Sequence, residues 1–190
     1  MKLTEEFYLK NDVILLAREL LGKVLVTHFD RRKTSGIITE TEAYNGIVDR
    51  ASHAYNGRRT ARNEHMYNQG GTSYVYICYG MHHLFNVVTN SKDIPHAILI
   101  RAIKPLEGIE TMLARRNKTK PDKTLTNGPG TVAQALGIDK QHSGLNLQGN
   151  KIWIEDRGIS VKNENIRITP RIGVESSGEA SLLPYRFLLT

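Results

Sequence analysis

Apolar positions near the N-terminus recur with a helical period. Val13, Leu16, Ala17, Leu20 and Leu21 fall at i, i+3, i+4, i+7 and i+8, one face of a helix. Asn11-Asp12 stand where an N-terminal cap belongs, and Gly22 where the helix should end. The pattern then changes to that of strands. Lys23 to Thr27 reads as one strand, Asp30 to Ser35 as a polar turn, and Gly36 to Tyr44 as a second strand, so the two predict a hairpin.

Residues 45–72 are polar, rich in Arg, Asn and Gly, and follow no period. So long a loop in a compact domain usually serves a function. Tyr74 to Tyr79 and Leu84 to Thr89 predict two strands joined across Gly80-Met81-His82-His83, a protruding hairpin. Ala97 to Ile103 is nearly all apolar and reads as a central strand. Gly108 to Arg116 reads as a helix, with Ile109, Met112 and Leu113 on one face, and Asn117 to Asp122 as a polar connection. Gly128-Pro129-Gly130 opens a further helix that runs to Leu136 and ends at Gly137. Short strands follow at Lys151 to Glu155, Ile166 to Ile168 and Tyr185 to Leu189. With no internal repeat, these elements predict a single α+β domain over residues 1–190, mainly one antiparallel curved sheet with flanking helices.

Charge narrows the partners. The chain carries 26 basic and 19 acidic residues, a net +7, which favours an anionic partner such as nucleic acid. No apolar run approaches the roughly 18 residues needed to span a bilayer, so no membrane association is expected. The N-terminal Met1-Lys2-Leu3-Thr4-Glu5-Glu6 carries acids where a secretory signal would have basic and then apolar residues. The single cysteine, Cys78, excludes an intramolecular disulfide and a thiolate metal cluster. A cytosolic protein without a metal is the expectation.

The candidate chemistry lies between Thr39 and Gly80. Strand alternation puts Ile38, Glu40, Glu42 and Tyr44 on one face. Glu42, beside a small residue and near the strand end, is the better candidate for a base that reaches a cleft. On pattern alone, an exposed strand face with both carboxylates in water is the favoured reading. His53 reads as an exposed loop histidine or a site residue. The cationic run Arg58-Arg59-Thr60-Ala61-Arg62-Asn63 suits phosphate contacts or a solvated surface. Tyr74 and Tyr76 share a strand face and either pack the sheet or offer a platform for stacking a displaced base. Tyr79, at the turn, could act as a wedge in a base stack. Arg101 is the one charge in an apolar strand, so it requires a carboxylate or a ligand, and Glu42 is the partner expected for it. Asn127-Gly128-Pro129-Gly130-Thr131 offers backbone N–H groups at a helix start but does not match a nucleotide phosphate loop.

Taken as a set, these segments resemble the monofunctional alkyladenine (3-methyladenine) DNA glycosylase family. The resemblance is carried by Glu40-Thr41-Glu42-Ala43-Tyr44, Tyr74-Val75-Tyr76-Ile77-Cys78-Tyr79-Gly80-Met81, Leu99-Ile100-Arg101-Ala102 and Gly128-Pro129-Gly130, in order along almost the whole chain. It implies a DNA-repair hydrolase that flips a damaged purine from double-stranded DNA and cuts its N-glycosidic bond, as a monomer with no cofactor. Glu42 would match the general base, with Arg101 and the backbone carbonyl of Ile172 holding the attacking water. Tyr44, His53 and Tyr76 would sandwich the base, Asn86 and Leu99 would line its pocket, and Tyr79 would fill the gap in the duplex. A cationic alkylpurine would gain about 0.5–2 kcal/mol from aromatic faces. The chain departs from many relatives at Gly173 to Ala180, which ends in alanine in place of tryptophan and bears on substrate range. The alternative is a non-catalytic nucleic-acid-binding module that uses its tyrosines only to stack bases. A hydrolase of free nucleosides would leave the basic charge and Tyr79 without a role.

Overall fold

A computed structural model describes residues 1–190. The helix expected near the N-terminus is α2 (Val13–Glu19); the Asp12 carboxylate accepts hydrogen bonds from the Ile14 and Leu15 backbone N–H groups, and Gly22 follows with φ +81°. A short helix that the apolar pattern did not predict, α1 (Glu5–Tyr8), precedes it. The other helices are α3 (Ile109–Arg115) and α4 (Pro129–Leu136). The strands are β1 (Val24–Phe29), β2 (Arg32–Tyr44), β3 (Ser73–Cys78), β4 (His82–Thr89), β5 (His96–Glu107), β6 (Ile152–Glu155), β7 (Ile166–Thr169) and β8 (Arg186–Leu189). All pairings are antiparallel, in the order β3-β4-β5-β2-β1-β6, with β8 joined to β2 and β7 to β8.

Strand β2 is the spine. One edge pairs with β5 along nearly its whole length, while the other is divided between β1, opposite Arg32 to Ile37, and β8, opposite Glu40 to Glu42. Helices α2 and α4 cover one face of the sheet, where Leu16, Ala17, Ile38, Ala43, Phe85, Ile98, Ile100, Val132 and Leu136 form the main core. On the other side, residues 45–72 fold into three single 3₁₀ turns, Gly46–Val48, Tyr55–Gly57 and Glu64–Tyr67. A second, smaller core holds them down, made by Ala54, Met66 and Tyr67 against Tyr74, Val88 and Ala97.

Three expectations are corrected. The turn placed over Asp30 to Ser35 is only Asp30-Arg31, both at positive φ (49° and 59°), which is the twist a two-residue hairpin needs. Thr34 and Ser35 are polar yet buried, bonded to Thr27 and Glu107, so their polarity does not mark a loop. The second hairpin is tighter as well: β4 starts at His82, and Tyr79-Gly80 take positive φ at its tip.

The third correction concerns the face of β2. Ile38 does not lie with Glu42 and Tyr44; it joins Ala43 in the core under α2, and the Thr41 hydroxyl bonds the Ala17 carbonyl of that helix. The β2–β5 register slips on either side of Glu40, with Ile38 opposite Ile103, Glu40 opposite Ala102 and Thr41 opposite Ile100. The first slip adds Thr39 on β2, and the second leaves Arg101 unopposed on β5. An extra residue in one strand reverses the in–out alternation beyond it. No helix is long and apolar enough to cross a membrane.

Candidate active site

A cavity of about 830 Å³ opens on the face that residues 45–72 enclose. That is ample for a single purine nucleoside, since small-ligand sites occupy roughly 300–1,000 Å³. Tyr44, His53, Tyr76, Tyr79, Asn86, Leu99, Arg101 and Ile172 all line it. Thus every residue to which the resemblance assigns a site role, other than Glu42, lines one cavity. Glu42 itself is wholly buried, immediately behind Tyr44, Arg101 and Ile172.

Glu42 sits between Leu99 on β5 and Arg186 on β8, so backbone pairing on both sides holds it rigidly. One of its carboxylate oxygens accepts the Ile172 backbone N–H at 2.8 Å. The other accepts the Tyr44 hydroxyl at 2.9 Å and lies 3.3 Å from Arg101 Nη1. A carboxylate offers about four acceptor sites, of which the Ile172 N–H and the Tyr44 hydroxyl take two, while Arg101 supplies an ion pair. Burial pushes the Glu42 carboxyl above its ordinary range and Glu40 adds to this, while Arg101, the Ile172 N–H and the Tyr44 hydroxyl pull it back. The solvated strand face that the pattern favoured is not found at Glu42, which is wholly buried. Burial and the nearby Glu42 together push the Tyr44 phenol well up, so it stays a hydrogen-bond donor at neutral pH.

Arg101 and Glu42 meet as expected, but Arg101 is shared. Its Nε donates to Glu40 Oε1 at 2.8 Å, and Arg186 Nε reaches the same oxygen at 2.7 Å. The two carboxylates are therefore spaced and charge-compensated by two arginines.

The aromatic wall is built around His53. Its Nδ1 lies 2.8 Å from the Tyr74 hydroxyl, and its ring meets Tyr76 edge-on with centroids 4.6 Å apart. Desolvation by the cavity wall, with Arg62 and Arg58 nearby, pushes the imidazole down to about 4. The ring is thus neutral near pH 7, and its Nδ1 and the Tyr74 hydroxyl share one hydrogen bond. Asn86 is buried, its amide donating to the Tyr74 and Leu84 carbonyls. Tyr79 projects from the hairpin tip, 87% exposed.

The cationic run separates by role. Arg58 and Arg62 line the cavity, Arg62 lying over the Tyr76 ring at 5.8 Å. Arg59 turns away, bound to Glu64 and Asp93 and stacked over Tyr67. Gly128, Pro129, Gly130 and Thr131 at the start of α4 close another part of the wall. No three His, Cys, Asp or Glu side chains gather as a metal site.

Sequence reasoning missed one pair. Arg171 and Asp49 form a fully buried, two-pronged ion pair beside Glu42, with one Arg171 Nη2–Asp49 Oδ1 bond at 2.9 Å. Nothing in Pro170-Arg171-Ile172-Gly173 distinguishes this arginine from a solvated loop residue, and Asp49 stands alone in a polar loop.

The site thus sets a buried carboxylate behind an aromatic, arginine-lined cavity. Comparison with known proteins gives the family. Residues 6–190 match the family model described as methylpurine-DNA glycosylase (MPG). A protein of Chlamydia abortus, provisionally named a 3-methyladenine DNA glycosylase, is 52% identical over 188 residues, 98% of this chain and 97% of its own length. Proteins with the same provisional name from Desulfitobacterium hafniense and Bacillus cytotoxicus are 45% and 44% identical, each over 95% of its own length and 98% or more of this chain. The chain belongs to the methylpurine-DNA glycosylase family.

Proposed function

We propose that the protein removes alkylated or deaminated purines, 3-methyladenine among them, from double-stranded DNA in the bacterial cytosol. It acts as a monomer, flips the damaged nucleotide into the cavity and hydrolyses the N-glycosidic bond. The observation that carries this reading is the buried Glu42, held by the Ile172 N–H, the Tyr44 hydroxyl and an ion pair with Arg101, directly behind the aromatic wall.

Water held by Glu42, Arg101 and the Ile172 carbonyl attacks C1′ of the flipped nucleotide. The bond to the purine breaks, the base leaves with the bonding electron pair, and Glu42 takes the proton of the water. A purine alkylated at N3 or N7 is cationic and departs neutral, so one carboxylate suffices where sugar hydrolases use two, whereas hypoxanthine, a neutral lesion, must take a proton from water as it leaves. The raised affinity of Glu42 for protons brings it nearer to neutrality, where a general base works best. Tyr44, His53 and Tyr76 hold the base by stacking, Leu99 and Asn86 border it, and Asn86 excludes guanine through its exocyclic amino group. Tyr79 occupies the space vacated in the duplex. None of the residues lining the cavity is a lysine, which supports hydrolysis without a covalent amine intermediate or strand cleavage. A module that only stacks bases would leave the burial of Glu42 against Arg101, Tyr44 and the Ile172 N–H without purpose.

The test is release of hypoxanthine and of 3-methyladenine from modified duplexes by the natural chain and by Glu42→Gln. Expected is release by the natural chain, loss of on the order of 10²–10⁴-fold in the variant, and unchanged or tighter duplex binding. Equal release by both proteins would falsify the assignment of Glu42. Tight binding without release by either would favour the stacking module.

A further inference from the structure

We infer that Arg171 is a positioning residue for this chemistry: by gripping three separate backbone segments at once, it sets the placement of Glu42, Tyr44 and the loop that carries His53. The inference rests on the functional reading above.

The geometry is that of a hub. Arg171 Nη1 donates to the Ala43 carbonyl at 2.9 Å as well as to Asp49, and Nη2 donates to Asp49 and to the Ala180 carbonyl at 3.0 Å. Ala43 is the residue between Glu42 and Tyr44, so the clamp holds the end of β2 where the base and a wall ring emerge. The guanidinium lies 4.8 Å from the centroid of the Tyr44 ring and 5.2 Å from that of Tyr185, packed against both. Asp49 is saturated in turn. Besides Arg171 it accepts the backbone N–H groups of Asn45 and Ala51, fixing the turn that leads to His53. The next residue in the chain, Ile172, donates its N–H to Glu42. One cation thereby joins the strand bearing the base, the loop bearing His53, the C-terminal turn at Ala180 and the backbone donor that holds the base.

The side chain is fully buried and its Nε has no partner, so the arginine is not placed for its own satisfaction. A buried ion pair is weak evidence for stability, because desolvation offsets much of the attraction. Its value here is geometric. A planar guanidinium can bind a carboxylate with two prongs and two carbonyls in the same plane, which a lysine ammonium cannot. The clamp also makes sense of the Gly173 to Ala180 departure: the contribution of Ala180 is a main-chain carbonyl, which any side chain there would supply.

The experiment is single-turnover release of hypoxanthine from a duplex, measured against pH, with binding of the same duplex measured separately. The natural chain, Glu42→Gln, Arg171→Lys, Asp49→Asn and a core control, Leu136→Ala, are compared, with folding checked by circular dichroism. Expected for Arg171→Lys is a fall in the rate on the order of 100-fold. The acid limb of its pH profile should also move upward, because Glu42 loses a well-placed N–H donor. Duplex affinity should change much less than the rate. Leu136→Ala should melt earlier yet keep the natural rate and pH limb once folded, which separates positioning from general stability. A folded Arg171→Lys with the natural rate and acid limb would overturn the inference. Should Arg171→Lys not fold, Asp49→Asn is read in its place: a smaller fall and shift in the same direction supports the clamp, and an unchanged profile overturns it. Release that depends on Glu42 but ignores Arg171 sinks this inference alone. Absence of Glu42-dependent release sinks the functional reading and the clamp with it.

Discussion

Replacing Arg101 by leucine removes the cation nearest the proposed base and leaves the other Glu42 contacts in place. Glu40 keeps Arg186 at 2.7 Å, so it is not stranded. At the 3.3 Å separation of Arg101 and Glu42, bare attraction with an effective dielectric constant of about 20 is about 5 kcal/mol. That is a ceiling, because the guanidinium is shared and lies closer to Glu40, at 2.8 Å. An adjacent opposite charge lowers a carboxyl, and sharing with Glu40 keeps the effect on Glu42 below that ceiling. The sign is definite. Arg101 favours the ionised carboxylate, its loss raises the affinity of Glu42 for protons, and a base works only when ionised. The acid limb of single-turnover hypoxanthine release should therefore move up in Arg101→Leu. Below that limb the rate falls about tenfold per unit. The plateau should fall too, since Arg101 also holds the water. A lowered plateau with the acid limb unmoved would refute the electrostatic part of the argument and confine Arg101 to holding the water.

Tyr79→Ala should leave stability within about 0.5 kcal/mol, because an exposed side chain outside the core is removed. It should weaken binding to a lesion-containing duplex by about 1–3 kcal/mol, measured by fluorescence anisotropy; undiminished affinity would dismiss the wedge. His53 contributes to acid sensitivity. Its proton affinity is lowered from 6.5 to about 4 on folding, so the unfolded chain binds the extra proton first. The stability this neutral ring supports is complete above the unfolded value and is lost as pH falls from there towards 4. His53→Gln should therefore show a shallower loss of Tm over that window, and an identical slope would show that the ring is solvated in the folded protein.

What the sequence made legible follows physical lines. Helix α2 was readable because period, cap and terminal glycine agreed, and its cap forms as expected through Asp12. Arg101 was readable through incongruity, a single charge in an apolar strand, and its carboxylate partner followed from the cost of burying a charge alone. The faces of β2 were not readable, because alternation assumes an unbroken pleat. The slips around Glu40 leave no mark in the residue types, since Thr39 and Arg101 can both occupy a regular strand. Yet these slips let Ile38 and Ala43 share the core while Glu40 meets Arg101 and Glu42 comes within reach of the same guanidinium. A regular pleat would keep Ile38 on the side of Glu42, and the core under α2 would lose that anchor. The hub at Arg171 was hidden for a different reason. Its partner Asp49 lies 122 positions away in a loop without a period, and two of its acceptors are main-chain carbonyls, which any sequence supplies. Residue type marks a catalytic group because chemistry demands it, whereas positioning is distributed over backbone that carries no such mark. Arg171, which nothing in its neighbouring residue types singles out, is for that reason where the structure adds most to the sequence.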